Sequence, residues 1–321
     1  MATTPNIPVS PIAWIAFDPA SLRVIDLARK VAPTATTLLI TGESGSGKDH
    51  LARIIHELGP RHDAPFLKID CASLPTELVE SELFGHERGA FTGAVERKLG
   101  RLELAYGGTI VLDEVAALTT GIQSKLMRVL EERNFERLGG TETLKLDARL
   151  IALTNAVLPQ LIAAGRFRED LYFRLNVVSI HLPPLRERRA DIIPLAEHLL
   201  LRLGPLHGRK NAELSPEAKQ ALLNYFWPGN IRELKNVLER ALIFGKTRGE
   251  VLGVEDLPEN VQAYLTGAPH GSAQMRSLVE VEREMIAATL EATHYKIAKA
   301  AEILGISRKT LLDKRKRYGL E

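Results

Sequence analysis

Gly42-Glu43-Ser44-Gly45-Ser46-Gly47-Lys48 stands between an apolar run with β character, Thr37-Leu38-Leu39-Ile40, and a stretch whose apolar residues, Leu51, Ala52, Ile54, Ile55 and Leu58, have helical spacing. A strand that ends in a glycine-rich turn and re-enters as a helix points backbone N–H groups and a helix N-terminus at one spot. Its glycines accept positive φ and close approach. These are the requirements of a loop that wraps phosphate, with Lys48 reaching the terminal phosphate groups. Position 49 is Asp, where such loops usually carry Ser or Thr. Its carboxylate can hold Mg²⁺ directly or through water, and it also repels phosphate.

Working outward, Gly107-Gly108-Thr109-Ile110-Val111-Leu112-Asp113-Glu114 is a buried-strand pattern ending in two acids. In an α/β fold with a parallel sheet, such an end lies at the edge where ligands bind. Asp113 is the expected Mg²⁺ partner, and Glu114 is placed to orient and polarise an attacking water. Between the two motifs runs Glu82-Leu83-Phe84-Gly85-His86-Glu87-Arg88-Gly89-Ala90-Phe91-Thr92-Gly93-Ala94. Its lone Phe91 between small residues has neither helix nor strand periodicity, so an exposed contact loop is expected, with Phe91 giving apolar area and Thr92 a hydroxyl. Further on, Arg149-Leu150-Ile151-Ala152-Leu153-Thr154-Asn155 is another strand with a polar end. Gly165–Leu175 is expected to carry Arg166, Arg168 and Arg174 on one helix. Trp227–Leu234 opens a helix with Asn230 as the expected N-cap and Glu233 completing a capping box.

On these residues the chain resembles the sigma-54-dependent transcription activators, the bacterial enhancer-binding proteins of the AAA+ ATPases, from Ile12 to Gly245 and from Ser277 to Leu320. The stretch Gly89-Ala90-Phe91-Thr92-Gly93-Ala94 is the most specific part of the match. The resemblance implies ATP as substrate, with the phosphate loop from Gly42 to Asp49 and a Mg²⁺ held by Asp113 with Asp49. It makes Thr154 and Asn155 the sensor of the γ-phosphate, Arg232 a second sensor reaching from the lid, and Arg168 and Arg174 fingers supplied to a neighbouring subunit. A planar guanidinium suits that last task. The loop around Phe91 and Thr92 is implied to contact sigma-54 RNA polymerase. A homo-oligomeric ring, a hexamer by resemblance, follows from fingers that act in trans. Two departures stand out. Asp49 replaces the family's usual Glu, and Asp70, in Lys68-Ile69-Asp70-Cys71-Ala72-Ser73, replaces an Asn that links the catalytic glutamate to the loop. Asp70 is therefore expected beside Glu114 as a repulsive switch.

The chain has 321 residues, 45% hydrophobic, enough for more than one buried core. One cysteine excludes an internal disulfide and a cysteine zinc cluster, and the short, interrupted apolar segments give no membrane span; a cytoplasmic setting is expected. From His294 onward eight Lys or Arg face three acids, leaving 34 basic and 37 acidic residues before it, so a near-neutral total hides a basic tail. Leu278, Val281, Met285, Ile286 and Leu290 mark one amphipathic helix, Lys296–Leu304 a second, and after a turn at Gly305-Ile306, Ser307 caps a third carrying Arg308, Lys309, Thr310, Lys314, Arg315 and Arg317. The layout resembles a Fis-type helix-turn-helix. Arg308, Lys309 and Thr310 are expected to read base edges of upstream enhancer DNA, and Arg315 and Arg317 to meet phosphate. Ala300, Ala301 and Gly305 are expected at the helix crossing, with Ile297, Ile303, Ile306 and Leu311 as its core.

The expected domains are a short N-terminal segment (1–17), an α/β AAA+ core with a parallel sheet (18–186), a small helical lid (187–263), a linker (264–276) and an all-α DNA-binding domain (277–321). The seventeen or so residues before the core are too few for a sensing domain, so control is expected from a separate, trans-acting regulator, from expression level, or not at all. Two other readings stay open. In one, a DNA-binding regulator uses nucleotide only to control oligomerisation and does not contact sigma-54; in the other, the chain remodels a different protein or DNA.

Overall fold

The computed structural model describes residues 14–245, 249–264, 282–283, 285–287, 289–290, 293 and 295–319. Most of the expected N-terminal segment and linker, and the start of the expected DNA-binding domain, lie outside these residues. The chain divides into two compact units, Met1–Gly267 and Ala268–Glu321.

In the first unit, β1 (Leu38–Thr41) and β2 (Phe66–Asp70) are followed by an antiparallel pair, β3 (Gly85–His86) and β4 (Lys98–Leu99). Then come β5 (Thr109–Asp113), a hairpin of β6 (Asn134–Glu136) and β7 (Thr143–Lys145), β8 (Arg149–Thr154) and β9 (Val178–His181). One all-parallel sheet runs β2-β5-β8-β1-β9. Its central strands β1, β5 and β8 are apolar on both faces because both are covered. Leu38, Ile40, Val111, Ile151 and Leu153 pack on one side against α1 (Pro19–Val31) and α2 (Lys48–Glu57). Their neighbours Leu39, Ile110, Leu112, Leu150 and Ala152 point the other way, against α3 (Thr76–Phe84), α4 (Arg101–Leu104), α5 (Thr120–Glu132) and, beyond α6 (Leu158–Ala163), α7 (Glu169–Leu175). The two-residue alternation of the strand divides the side chains between the two layers. Asp70, Asp113 and Thr154 all fall on last strand residues, and the loop after β1 opens at the same edge.

The lid is built from α8 (Ile192–Leu203), α9 (Pro216–Asn224) and α10 (Asn230–Phe244) around a separate apolar core. Trp227 is fully buried there, and its indole N–H donates to Leu222 O at 2.9 Å, which satisfies the one polar group of a large apolar side chain.

The second unit has helices at Ile297–Ile303 and Arg308–Tyr318, the latter capped by the Ser307 hydroxyl accepting from Thr310 N at 3.0 Å. Ile286, Leu290, Ala300, Ala301 and Leu311 are its buried core. Three expectations are corrected. Ile303 is 61% exposed, because the buried face of its helix runs through Ile297, Ala300, Ala301 and Leu304, and Ile303 falls on the opposite side. Met285 is likewise exposed rather than apolar-side core. Gly305 does not serve close packing: a Cβ there would meet nothing within 4 Å, and what requires glycine is its φ of +65° in the turn. Among the described residues no helix is long and apolar enough to cross a membrane.

Candidate active site

The loop after β1 is clasped by the lid. Ile231 N donates to Gly45 O at 3.0 Å, and the Arg188 guanidinium, 1% exposed, donates to Ser46 O at 2.5 Å. Gly45 has φ +74°, and a Cβ on it would stand 2.4 Å from Gly229 O, so glycine alone allows the loop to pass under the lid. Arg186 holds Glu43 in a two-point pair at 2.6 and 2.8 Å and keeps that carboxyl at a pKa of about 2, against an ordinary 4.5, with Asn230 adding to the effect. Arg232 donates to Ser44 Oγ at 2.8 Å.

Asn230 differs from its expected role. The cap position belongs to Gly229, whose N–H is taken by Glu233 Oε2 at 2.8 Å, so only that half of the expected capping box forms. Asn230 itself has a left-handed φ of +53°, a conformation asparagine tolerates better than most residues, and is fully buried. Its amide accepts from Leu185 N at 2.7 Å and donates to Glu43 Oε2 and Ser44 O at 3.1 Å, which ties the lid to the loop.

Lys48, on the first turn of α2 and only 7% exposed, donates to Gly42 O at 2.9 Å and Glu43 O at 3.2 Å, and lies 3.9 Å from Glu114 Oε1. Burial pulls its pKa down, while Glu114, Asp113 and Asp49 oppose that. Glu114 sits just past β5 with φ +51°, an uncommon conformation for a residue with a side chain, and such strain is concentrated at functional positions. Its Oε2 accepts from Asn155 N at 3.1 Å, so the ends of β5 and β8 meet. Thr154 is buried, with its hydroxyl accepting from Ala156 N at 3.0 Å. Lys48, Asp49, Asp113, Glu114, Arg232 and Ser44 line a cleft of about 350 Å³. Another hollow, of about 300 Å³ beside β6, contains none of these groups.

This cleft fits a nucleotide phosphate. The loop ends on a helix N-terminus, the lysine is beside it, and the buried Ser46 hydroxyl has no partner among the described groups. It also fits Mg²⁺ in the manner that ion prefers, one or two carboxylates with phosphate and water completing the shell; among the described residues no group of three or more His, Cys, Asp or Glu is placed to hold a metal ion by itself. Asp49 and Asp113 are the carboxylates available. Both are held by Lys68, a residue that sequence reasoning passed over. Its position two residues before Asp70 in a strand of alternating faces was the available signal. Burial disfavours the Lys68 charge, but hydrogen bonds to Asp113 and Asp49 outweigh it and raise its pKa. Cys71, 4% exposed, has its thiol pushed up to about 12 by burial and then by Asp113, Asp70 and Glu114.

Asp70 and Glu114 each bond to partners of their own and not to one another. Asp70 Oδ1 accepts from Ala72 N at 3.0 Å and Ser73 N at 3.1 Å, a local turn that draws the carboxylate along its own chain, whereas Glu114 engages Asn155 and faces Lys48. Nor do three arginines share a helix. α7 starts at Glu169 and Arg168 is its cap residue, because Gln123 accepts from Arg168 N and donates to Arg166 O, which fixes an extended entry. Arg168 forms a two-point pair with Asp170 at 2.6 and 3.0 Å, and Arg174 lies 3.5 Å from Glu131.

Gly89 to Ala94 form a loop closed on itself, Gly89 N donating to Ala94 O at 2.8 Å and Ala94 N to Phe91 O at 3.0 Å. Phe91 is 40% exposed, edge-on to His86 at 4.9 Å, and Thr92 is exposed. In the second unit, Arg308 and Lys309 are exposed at the start of the last helix. Lys314 donates to Glu282 Oε1 at 2.5 Å, and the Arg315 guanidinium lies 5.8 Å from the Tyr295 ring centre.

Comparison with known proteins matches residues 15–181 to the sigma-54 interaction domain, 186–274 to an AAA+ ATPase lid domain and 277–318 to the bacterial regulatory protein, Fis family. The chain is similar to the transcriptional regulatory protein ZraR of Klebsiella oxytoca, 44% identical over 96% of this chain and 69% of that protein. It is similar also to the regulatory protein AtoC of Escherichia coli (strain K12), at 42% over 94% and 67%. The crystal structure of NtrX from Brucella abortus in complex with ATP superposes with a TM-score of 0.71 at 36% identity, covering 96% of this chain and 69% of that one.

Proposed function

The chain belongs to the sigma-54 interaction domain family, and from that premise we propose that it is an ATP-hydrolysing activator that binds upstream enhancer DNA and remodels closed complexes of sigma-54 RNA polymerase through its Gly89–Ala94 loop. The observation that carries this reading is the convergence of Lys48, Asp113, Glu114 and Arg232 on one cleft, with Glu114 hydrogen-bonded to Asn155. The NtrX relative holds ATP, and ATP is the ligand proposed here.

On this reading the loop N–H groups and Lys48 take the triphosphate. When bound, Mg²⁺ neutralises phosphate charge, held by Asp113 with Asp49. Glu114 orients the attacking water, and Thr154 with Asn155 senses the γ-phosphate through the bond to Glu114. Arg232 reads the nucleotide from the lid, whose grip on Glu43 and Ser44 couples its position to the loop. Within one chain Arg168 and Arg174 have partners outside the cleft, Asp170, Ser124 and Glu131, which supports their use as fingers for a neighbouring protomer in a ring, proposed as a hexamer. Asp70 is the proposed switch residue and acts through its turn with Ala72 and Ser73. The last helix, with Ser307, Arg308, Lys309 and Thr310 leading it, would dock in the major groove. The proposed domains keep the limits 1–17, 18–186, 187–263, 264–276 and 277–321.

The test is open-complex formation on a sigma-54 promoter with ATP, comparing the unaltered chain with Thr92→Ala. Loss of one partner-facing hydroxyl bond should lower open complexes about tenfold while ATP turnover persists. Equal promoter opening by both proteins would remove the remodelling role and leave a DNA-binding regulator.

A further inference from the structure

None of the motifs accounts for Lys68. It lies in β2, on the same face as Asp70 by the two-residue repeat, within a strand whose other members Phe66, Leu67 and Ile69 are apolar. Its ammonium stands 2.5 Å from Asp49 Oδ2 and 2.6 Å from Asp113 Oδ2. One side chain thus joins the residue that follows the loop lysine to the acid that ends β5. Those are the two carboxylates available to a divalent cation, and they are also the groups that repel a polyanion entering the cleft. Lys68 is half-buried, Asp113 17% exposed and Asp49 exposed, so solvent screens the Lys68–Asp113 contact least.

We infer that Lys68 is a tethered cation that positions Asp49 and Asp113 and offsets half of their combined charge, so that nucleotide binding at this site depends less on Mg²⁺ than it would with the carboxylates bare. The inference rests on the proposed nucleotide cleft. With Lys68 in place the triphosphate meets Lys48, Arg232 and two carboxylates that share one ammonium. Without it, two bare carboxylates face the phosphates until a divalent ion arrives. Lys68 occupies Asp113 Oδ2, so a Mg²⁺ held by Asp113 would share that carboxylate with the ammonium or displace it.

The experiment measures equilibrium binding of a fluorescent, non-hydrolysable ATP analogue to the full chain, once in EDTA and once in saturating Mg²⁺. It compares the unaltered protein with Lys68→Met and Lys68→Arg, following thermal melts alongside. The unaltered chain should differ by less than about threefold between buffers. Lys68→Met should lose about tenfold or more in EDTA and regain its affinity in Mg²⁺, and Lys68→Arg should follow the unaltered chain. An equal loss for Lys68→Met in both buffers would reduce Lys68 to a structural role, and no loss, or a Mg²⁺ requirement already present in the unaltered chain, would overturn the inference. Should the unaltered chain bind the analogue in neither buffer, the nucleotide cleft itself fails and the role of Lys68 fails with it.

Discussion

Glu43 shows how much of the loop's shape depends on single side chains, Arg186 at the end of the core and Asn230 in the lid. Its carboxylate receives both Arg186 nitrogens and the Asn230 amide, so folding favours its charged form. A carboxyl whose folded pKa lies below its unfolded value contributes stability above the unfolded pKa and loses it as pH falls through the folded one. The window here runs from 4.5 down to about 2. The stability difference between the unaltered chain and Glu43→Gln, measured by urea unfolding, should be constant above that window and shrink on entering it. A difference that does not change with pH would show that the pair contributes nothing. Asn230, on the facing helix, is a capping residue type used instead as a tie, and its left-handed backbone lets one amide reach both Leu185 and the loop.

Among the elements, the β3–β4 pair at the base of the contact loop and the β6–β7 hairpin are joined at Arg137. This residue is 3% exposed and meets Glu103 at 2.7 and 3.0 Å, Glu87 at 3.0 Å and Glu142 at 2.7 Å. Main-chain bonds reinforce the joint, Glu87 N to Leu138 O and Leu138 N to Gly85 O, both 3.0 Å. Removing the guanidinium leaves Glu103 and Glu142 without their cation, while Glu87 keeps Arg97 at 3.7 Å. Arg137→Met should therefore cost about 2 kcal/mol, the partial exposure of its partners holding the figure below that of a fully buried pair. The expected signs are a fall of several degrees in melting temperature and faster amide exchange at Glu87 and Leu138. An unchanged melt would mean that the main-chain bonds alone secure the loop base.

For the whole molecule, two units with separate cores predict separable behaviour. In the second unit Lys314 is engaged by Glu282, which also accepts from the Tyr318 hydroxyl at 2.5 Å, so its charge serves the fold. Binding to duplex DNA across a range of KCl concentrations should separate the basic residues. Arg315→Gln should flatten the slope of log affinity against log salt by about 0.9, the loss of one phosphate contact. Lys314→Gln should leave the slope unchanged and lower the thermal stability of this unit. The opposite pattern would exchange the two assignments.

The sequence by itself determined the parts whose signal is local. The glycine loop with its strand and helix, the paired acids ending β5, the polar end of β8 and the cap at Ser307 could all be read from neighbouring residues, because backbone freedom and side-chain alternation act within a few positions. Only the tertiary structure decided which of these groups meet. Lys68 reaching Asp49 and Asp113, and Arg186, Arg188 and Asn230 gripping the phosphate loop, join residues up to 187 positions apart. Hydrogen bonds and ion pairs depend on distance in space, and no periodicity along a chain encodes that distance.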